Sequence, residues 1–199
     1  MMNNGKTISA ATAKQWLQDN RLILDTETTG LDSTAEIVEI AIINCQGEVL
    51  LNTLVRPVHD IPPEATAIHG INNEMVADAP GWKDIHNKVI SLLRPTGFIA
   101  YNSDFDARLM VQTADISHAL HEDPVAEVLE LNAMHDCAML LYAEFYGQWN
   151  EQRGSYRWQR LTTAAEQQGV KVEGQPHRAL ADCLLTLGVI KAIAAGGAK

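Results

Sequence analysis

Long hydrophobic runs are absent from this 199-residue sequence, although hydrophobic residues make up 46% of it. No apolar stretch approaches the roughly 20 residues that a membrane-spanning helix needs. The first residues are polar and lack the apolar core of a secretion signal. We therefore expect a cytoplasmic protein that does not engage a membrane.

Cysteine and positive charge are also scarce. Cys45, Cys137 and Cys183 are widely spaced and odd in number, which favours reduced thiols over a disulfide framework or a zinc cluster. Lysine and arginine total 15 against 25 acidic residues, a formal net charge of −10. An acidic chain binds nucleic-acid phosphates poorly without local help. A nucleic-acid substrate would need bound cations and a few arginines, as in an enzyme that acts on a short strand.

The order of the predicted elements indicates a single α/β domain. Three apolar segments predict an antiparallel meander: 22–25, 37–43 and 48–55. Strands then alternate with helices, as expected for a mixed β-sheet flanked by α-helices. We find no repeat or low-complexity linker. The predicted organisation is a leading helix in 1–20, one domain over 21–195 and a mobile tail at 196–199.

Several local features carry predictions of their own. Ser9 is expected to cap the leading helix, and Asn73 to cap a short helix that ends at Val76. Residues 116–130 are predicted to form a solvated acidic face. The aromatic loop 149–158 has two possible interpretations: a packed surface loop, or a surface that binds a partner or stacks with bases.

Two carboxylates, two residues apart, follow the apolar run Leu22–Leu24. Asp25 and Glu27 point to the same side of a strand, because side chains alternate along it. They repel each other and are partly desolvated, so a divalent cation with oxygen ligands would offset both costs. On this pair alone, a solvated turn explains the sequence equally well. Gly30 permits a tight turn that exposes Leu31 beside the acids.

Three further residues extend the acidic pair. Asp106 lies in the first turn of a helix predicted after strand 97–101, so its carboxylate faces the strand end. His177 and Asp182 stand at the start of the last predicted helix and can reach one pocket, although a cap and a surface charge would give the same pattern. Four acids and one histidine suit two hard cations, Mg²⁺ or Mn²⁺. Glu39, inside an apolar strand, is expected to be a hydrogen-bonded carboxylate behind the site.

Four segments occur in a characteristic order. They are Asp-Thr-Glu-Thr-Thr-Gly-Leu at 25–31, Ile-His-Gly-Ile at 68–71, Tyr-Asn-Ser-Asp-Phe-Asp-Ala-Arg-Leu at 101–109 and His-Arg-Ala-Leu-Ala-Asp at 177–182. Together they resemble the motifs of the DEDDh family of DnaQ-like 3′–5′ exonucleases, which includes the proofreading epsilon subunit of DNA polymerase III, exonuclease X and RNase T. The resemblance covers roughly residues 22–193. Tyr101 is a departure, since some members have histidine there.

The resemblance implies an RNase H-like fold and two-metal hydrolysis of the 3′-terminal phosphodiester, with release of a nucleoside monophosphate. It assigns metal binding and catalysis to four acids: Asp25, Glu27, Asp106 and Asp182. His177 matches the general base, a task that imidazole groups suit near neutral pH.

Six residues are candidate substrate contacts: Thr26, Thr28, Gly30, Leu31, His69 and Asn102. Leu31 is expected to wedge against the terminal base and His69 to lie near the sugar, although His69 taken alone is more typical of a surface histidine. Stacking on apolar side chains predicts little sequence specificity.

The substrate stays open at this point. Single-stranded or frayed DNA 3′ ends are the first expectation, and trimming of RNA 3′ ends is the alternative within enzymes. A non-catalytic nucleic-acid or polymerase accessory module is the alternative of another class. A homodimer or a polymerase-associated partner fits either.

Overall fold

The computed structural model describes residues 2–119, 133–171 and 177–197, with side chains from residue 5 onward. Most of the predicted acidic face at 116–130, and the end of the predicted tail, lie outside these ranges. The division of the chain into 1–20, 21–195 and 196–199 stays a prediction.

Seven strands form two sheets within the described ranges. The strands are β1 (Leu22–Thr28), β2 (Ile37–Asn44), β3 (Val49–Leu54), β4 (Phe98–Ala100), β5 (His135–Cys137), β6 (Trp149–Asn150) and β7 (Ser155–Tyr156). The large sheet has the order β3-β2-β1-β4-β5, and β6 pairs with β7 separately. The first three strands are antiparallel neighbours, whereas β4 runs parallel to β1 and β5 parallel to β4. The predicted α/β class with a mixed sheet is confirmed.

Eight helices accompany the strands in the part of the chain that the structure describes. They are α1 (Met2–Gln18), α2 (Pro63–His69), α3 (Asn73–Val76), α4 (Trp82–Leu93), α5 (Ser103–Ile116), α6 (Ala138–Tyr146), α7 (Leu161–Gln167) and α8 (Ala179–Ala194). Within the described ranges, no helix combines the length and the apolar character that crossing a membrane requires.

Helices cover both faces of the large sheet, and strand alternation sorts the side chains between two cores. Ile23 of β1 packs into a core with residues of α1, α6, α7 and α8. Leu22 and Leu24 face the other way, into a core with α4 and α5. Asp25 and Glu27 continue the Ile23 side, which is the side that α8 covers. This alternation aims both acids at the helix that carries Asp182.

Two predicted helix caps are wrong. Helix α1 begins at Met2, so Ser9 lies inside it, fully buried. A serine signals a cap by its local sequence, but packing of α1 against α6 and α8 extends the helix past it. Asn72 caps α3 by accepting the backbone N–H of Met75 at 3.0 Å. Asn73 instead accepts the backbone N–H of Ile61 at 2.9 Å, a bond across the preceding loop.

The aromatic loop 149–158 contains the β6–β7 hairpin. Trp149 pairs with Tyr156 in the backbone register, and their rings meet edge to face with centroids 5.1 Å apart. The side chain of Asn150 accepts the backbone N–H groups of Gln152 and Arg153 and closes the turn. The loop is therefore an ordered hairpin whose flank is exposed.

Candidate active site

Strand β1 supplies the first two acids. It extends to Thr28, so Asp25 and Glu27 lie within the strand and not beyond its end, as the shorter predicted strand had placed them. Glu27 pairs with Glu39 of β2, and the register shifts immediately afterwards, at Thr28. A bulge of this kind bends a strand and redirects its side chains. The two acids thus project from the carboxyl-terminal half of β1, close to the end of the strand.

Helix α5 supplies the third acid at the same edge. Strand β4 is parallel to β1, so the carboxyl ends of both strands open at one edge, and α5 starts directly after β4. Asp106 lies in the first turn of α5 and is 4% exposed. The hydroxyl of Thr26 donates a hydrogen bond of 2.8 Å to its carboxylate. This bond fixes Asp106 against β1.

Helix α8 supplies the fourth acid. Cys183 is fully buried, and its thiol contacts the carbonyls of Ile23 at 3.7 Å and Ala41 at 3.5 Å. This packing presses the first turn of α8 onto β1 and β2. Asp182, the preceding residue, is held at the sheet edge as a result.

His177 lies just before α8 and is exposed, with a left-handed φ of 58°. That backbone conformation is costly for a residue with a Cβ atom. One ligand atom from each of Glu27, His177 and Asp182 lies within 4.8 Å of the others. An imidazole and two carboxylates from distant parts of the sequence therefore share one small volume.

Burial and mutual repulsion make this cluster hard to ionise. Burial, followed by repulsion from Asp106, Asp182 and Glu27, raises the pKa of Asp25 well above its ordinary value. Burial, followed by repulsion from Asp182, Glu39 and Asp106, raises the pKa of Glu27 to about 8. Burial raises the pKa of Asp106 to about 7, against the lowering effect of the Thr26 hydrogen bond. Burial also raises the pKa of Asp182, and His177 opposes that shift.

These shifts indicate what the cluster lacks, which is positive charge among the acids. Arg178 lowers the pKa of Glu27, but its guanidinium is engaged by Glu39 behind the cluster. Carboxylate oxygens are the preferred ligands of Mg²⁺ and Mn²⁺, and a divalent cation would reverse the repulsion. The donor set fits such cations, and a thiol-ligated zinc site is excluded here because the Cys183 thiol faces backbone carbonyls.

Glu39 is 3% exposed and, as predicted, is a hydrogen-bonded carboxylate behind the acids. Its partner, Arg178, was not anticipated. The guanidinium of Arg178 donates to both oxygens, with a shortest contact of 2.6 Å, and Glu39 also accepts the backbone N–H of Ala179 at 2.9 Å. An arginine next to the expected base was a local signal, but its partner lies 139 residues away.

An apolar cavity of about 380 Å³ opens beside the acids. Five of the six candidate substrate contacts line it: Thr26, Thr28, Gly30, Leu31 and His69. Leu31 is 78% exposed at the rim, as the Gly30 turn predicts. Asn102, the sixth candidate, is exposed and is not among the residues that line this cavity. Its carbonyl accepts the Phe105 N–H at the start of α5, which is a local structural role.

His69 is not a surface histidine, since it is 2% exposed at the end of α2. Its Nδ1 accepts the backbone N–H of Ile71 at 3.0 Å, which leaves the proton on Nε2. Nε2 therefore donates to the carbonyl of Thr28 at 3.2 Å. Burial lowers the pKa of His69, so the neutral ring is favoured. The ring fastens α2 to the end of β1 and forms one wall of the cavity.

Phe105 also lines the cavity and was not predicted, although it directly precedes Asp106. The Arg108 guanidinium lies over the Phe105 ring, 5.2 Å from its centroid. Arg108 also donates to the carbonyls of Leu31 at 3.3 Å and Asp32 at 3.4 Å. One arginine thus holds both the ring and the exposed turn at the cavity rim.

The RNase T family model, described as "Exonuclease", matches residues 22–190. The chain belongs to this exonuclease family. It is 54% identical over 186 residues to the "Uncharacterized exonuclease CP81" of Escherichia phage 186, a match that spans 94% of each chain. It is 38% identical over 95 residues to the DNA polymerase III subunit epsilon of Rickettsia prowazekii, across 45% of this chain and 42% of that protein.

Solved exonuclease structures share the fold. The structure of Exonuclease X in complex with 5′ overhanging duplex DNA superposes with a TM-score of 0.59 and 28% identity, covering 86% of this chain and 89% of that one. A 3′-exonuclease solved in recognition of the histone mRNA stem-loop superposes with a TM-score of 0.67 at 18% identity, over 88% and 64% of the two chains. The predicted relationship to the DnaQ-like exonucleases is confirmed.

Family membership makes this exonuclease a phosphodiester hydrolase of the 3′–5′ type, and the predicted enzyme class is confirmed. The alternative of a non-catalytic accessory module is not supported. The family depends on divalent metals. The roles of individual residues in the cluster stay predictions.

Proposed function

We propose that this exonuclease removes 3′-terminal nucleotides from single-stranded or frayed DNA ends with two divalent cations, Mg²⁺ or Mn²⁺. The observation that carries the proposal is the convergence of Glu27, His177 and Asp182 within 4.8 Å, next to Asp25 and beside an apolar cavity. The cations would be held by the four acids: Asp25, Glu27, Asp106 and Asp182. When bound, they supply charge for the developing phosphorane and acidify a water molecule.

His177 takes the proton of the attacking water in this proposal. The water oxygen attacks the phosphorus of the terminal phosphodiester, and the 3′-oxygen of the penultimate sugar leaves, so the terminal residue departs as a nucleoside 5′-monophosphate. His177 is exposed, and one of its ring nitrogens lies within 4.8 Å of carboxylate oxygens of Glu27 and Asp182. It can therefore pass the proton on to solvent between turnovers.

The apolar cavity is proposed to hold the terminal nucleoside. Leu31 and Phe105 offer apolar surface to the base, and every base has a face that can use it. Thr26 and Thr28 line the same cavity, and we expect their backbone groups to bond the sugar. A single base placed against these side chains must be unpaired, so we expect the enzyme to act on single-stranded or frayed ends.

DNA is favoured over RNA as the substrate. Exonuclease X, a solved relative at 28% identity, is described in complex with DNA, and the epsilon subunit belongs to a DNA polymerase. Both matches support a deoxyribonucleotide end. RNA trimming is tested as the other outcome.

The test uses 5′-labelled single strands of DNA and RNA with the same sequence, incubated with Mg²⁺, Mn²⁺ or EDTA. We expect a ladder that shortens one nucleotide at a time, faster for DNA, and no product in EDTA. Asp25→Asn is the matched inactive control. Internal cleavage, or turnover in EDTA, would overturn the proposal, and a faster ladder on RNA would transfer it to RNA ends.

A further inference from the structure

Positive charge in this acidic protein is concentrated beside the β6–β7 hairpin. Residues 149–160 contain three arginines and one acid, a local charge of +2 in a chain of −10. Arg153, Arg157 and Arg160 are exposed, and none forms an ion pair with another described residue. Exposed guanidinium groups without an acidic partner are available to a polyanion.

Trp158 lies between the arginines and is 53% exposed. It lines a cavity of about 280 Å³ on the hairpin, together with Arg153 and Arg157. It also lines a second cavity of about 330 Å³ that includes Arg160, His177 and Asp182. Trp158 is thus a wall common to the hairpin cavity and to the cavity that contains two of the proposed catalytic residues.

Backbone hydrogen bonds and a ring contact order the hairpin that carries these groups. The backbone N–H of Gly154 donates to the Asn150 carbonyl at 2.9 Å, and that of Arg157 donates to the Gln148 carbonyl at 2.8 Å. The edge contact of Trp149 with Tyr156 braces the two strands. Order in an exposed aromatic and basic segment lowers the entropy cost of binding a strand.

We propose that Arg153, Arg157, Trp158 and Arg160 form a track for the single strand upstream of the scissile phosphodiester. The arginines would contact successive phosphates, and Trp158 would stack with a base where the strand enters the active site. Charge complementarity and the shared cavity wall both favour a nucleic-acid strand over a protein partner. The proposal rests on the proposed exonuclease function and deepens it.

The test compares the double variant R153Q/R157Q with wild type on thymidine oligonucleotides of two and of sixteen residues. We expect kcat/KM for the long strand to fall about tenfold and that for the dinucleotide to stay near the wild-type value. The slope of log KM against log salt, between ~50 and ~200 mM, should fall by about 1.4 if both arginines contact phosphates of a single strand. The matched control K83Q/K88Q removes two exposed charges from α4, on the opposite face of the sheet.

Trp158 provides a second, independent readout. Trp158→Ala should weaken long-strand binding about fivefold or more, and Trp158→Phe should restore most of it because it keeps a stacking ring. Equal effects of R153Q/R157Q on both lengths, or no effect on either, would overturn the proposed track. If wild type hydrolyses neither oligonucleotide, the proposed function itself fails, and that result is read from wild type alone.

Discussion

The guanidinium of Arg178 donates three hydrogen bonds, of 2.6, 3.0 and 3.1 Å, to the carboxylate of Glu39. Glu39 stands opposite Glu27 in the sheet and also accepts the N–H of Ala179, where α8 begins. The same carboxylate therefore fixes the helix start that places both Asp182 and the neighbouring His177. His177, with its left-handed φ of 58°, directly precedes Arg178.

Replacing Arg178 by alanine should destabilise the fold and misplace the proposed base. Glu39 is buried, so loss of its partner leaves a charge without compensation, a cost of about 3 kcal/mol at the lower end of the range for buried pairs. Urea unfolding measures that cost, and kcat should fall more than KM changes. Arg178→Lys keeps the positive charge but loses the paired guanidinium hydrogen bonds, so it should recover part of the stability and part of kcat. An Arg178→Ala variant as stable as wild type would contradict this role of the Arg178–Glu39 ion pair.

Replacing His177 by alanine should lower kcat by roughly a hundredfold or more, while the fold and Mn²⁺ binding persist. The reason is the loss of the group that takes the proton from water. His118 is a matched control, since it is also exposed with a left-handed φ of 52°. His118→Ala should turn over at the wild-type rate. Near-normal kcat in His177→Ala would remove this residue from the mechanism.

Local sequence was enough to predict where the acids lie on their strands and helices, because strand alternation and helix starts are local properties. Asp25 and Glu27 share a face by their spacing alone, and Asp106 follows the end of a short strand that the sequence marks clearly. The structure brings these to one edge of the sheet. The exposed Leu31 also followed from its neighbour Gly30.

Contacts between segments distant in the sequence could not be predicted from local patterns. The partner of Arg178 is 139 residues away, and no local pattern identifies it. Asn72 and Asn73 are equally good caps by type, and the bond from Ile61 to Asn73 decides between them. Burial of His69 likewise depends on how α2 docks on β1.

Replacing Leu31 by alanine should raise KM for single-stranded DNA about fivefold or more, because an apolar contact to the terminal base is lost. Stability should change by less than about 0.5 kcal/mol, since the side chain is 78% exposed. Val58→Ala, at a site 61% exposed that does not line the cavity, is the control. A Leu31→Ala enzyme with wild-type KM would exclude the proposed wedge.

Without metal, the folded protein should lose stability as pH rises from about 5 to about 8. The pKa of Glu27 lies near 8 when folded and near its ordinary 4.5 when unfolded, so between these values the folded state holds a proton that the unfolded state has released. In that window stability falls with each step in pH. The melting temperature in EDTA should drop by about 5 °C or more across the window.

Two comparisons check this pH dependence. Adding Mn²⁺ at pH 8 should restore the melting temperature, because the cation favours the ionised acids. Glu27→Gln removes one of the repelling charges and should flatten the pH dependence in EDTA. A melting temperature that rises between pH 5 and 8 in metal-free protein would contradict the repulsion.

Thr26→Val should weaken Mn²⁺ binding in a pH-dependent way. The Thr26 hydroxyl donates to Asp106 at 2.8 Å and lowers the pKa of an acid that burial has raised to about 7. Without this donor the pKa of Asp106 rises further, so at pH 7 the cation must displace a more tightly held proton. We expect the Kd for Mn²⁺ to rise about tenfold at pH 7, and the deficit to shrink at higher pH, where the acid ionises by itself. Calorimetry of wild type, Thr26→Val and Thr26→Ser separates loss of the hydroxyl from a change of side-chain shape, because serine keeps the hydroxyl. If the Mn²⁺ affinity of Thr26→Val is reduced equally at pH 7 and at higher pH, valine only distorts the site.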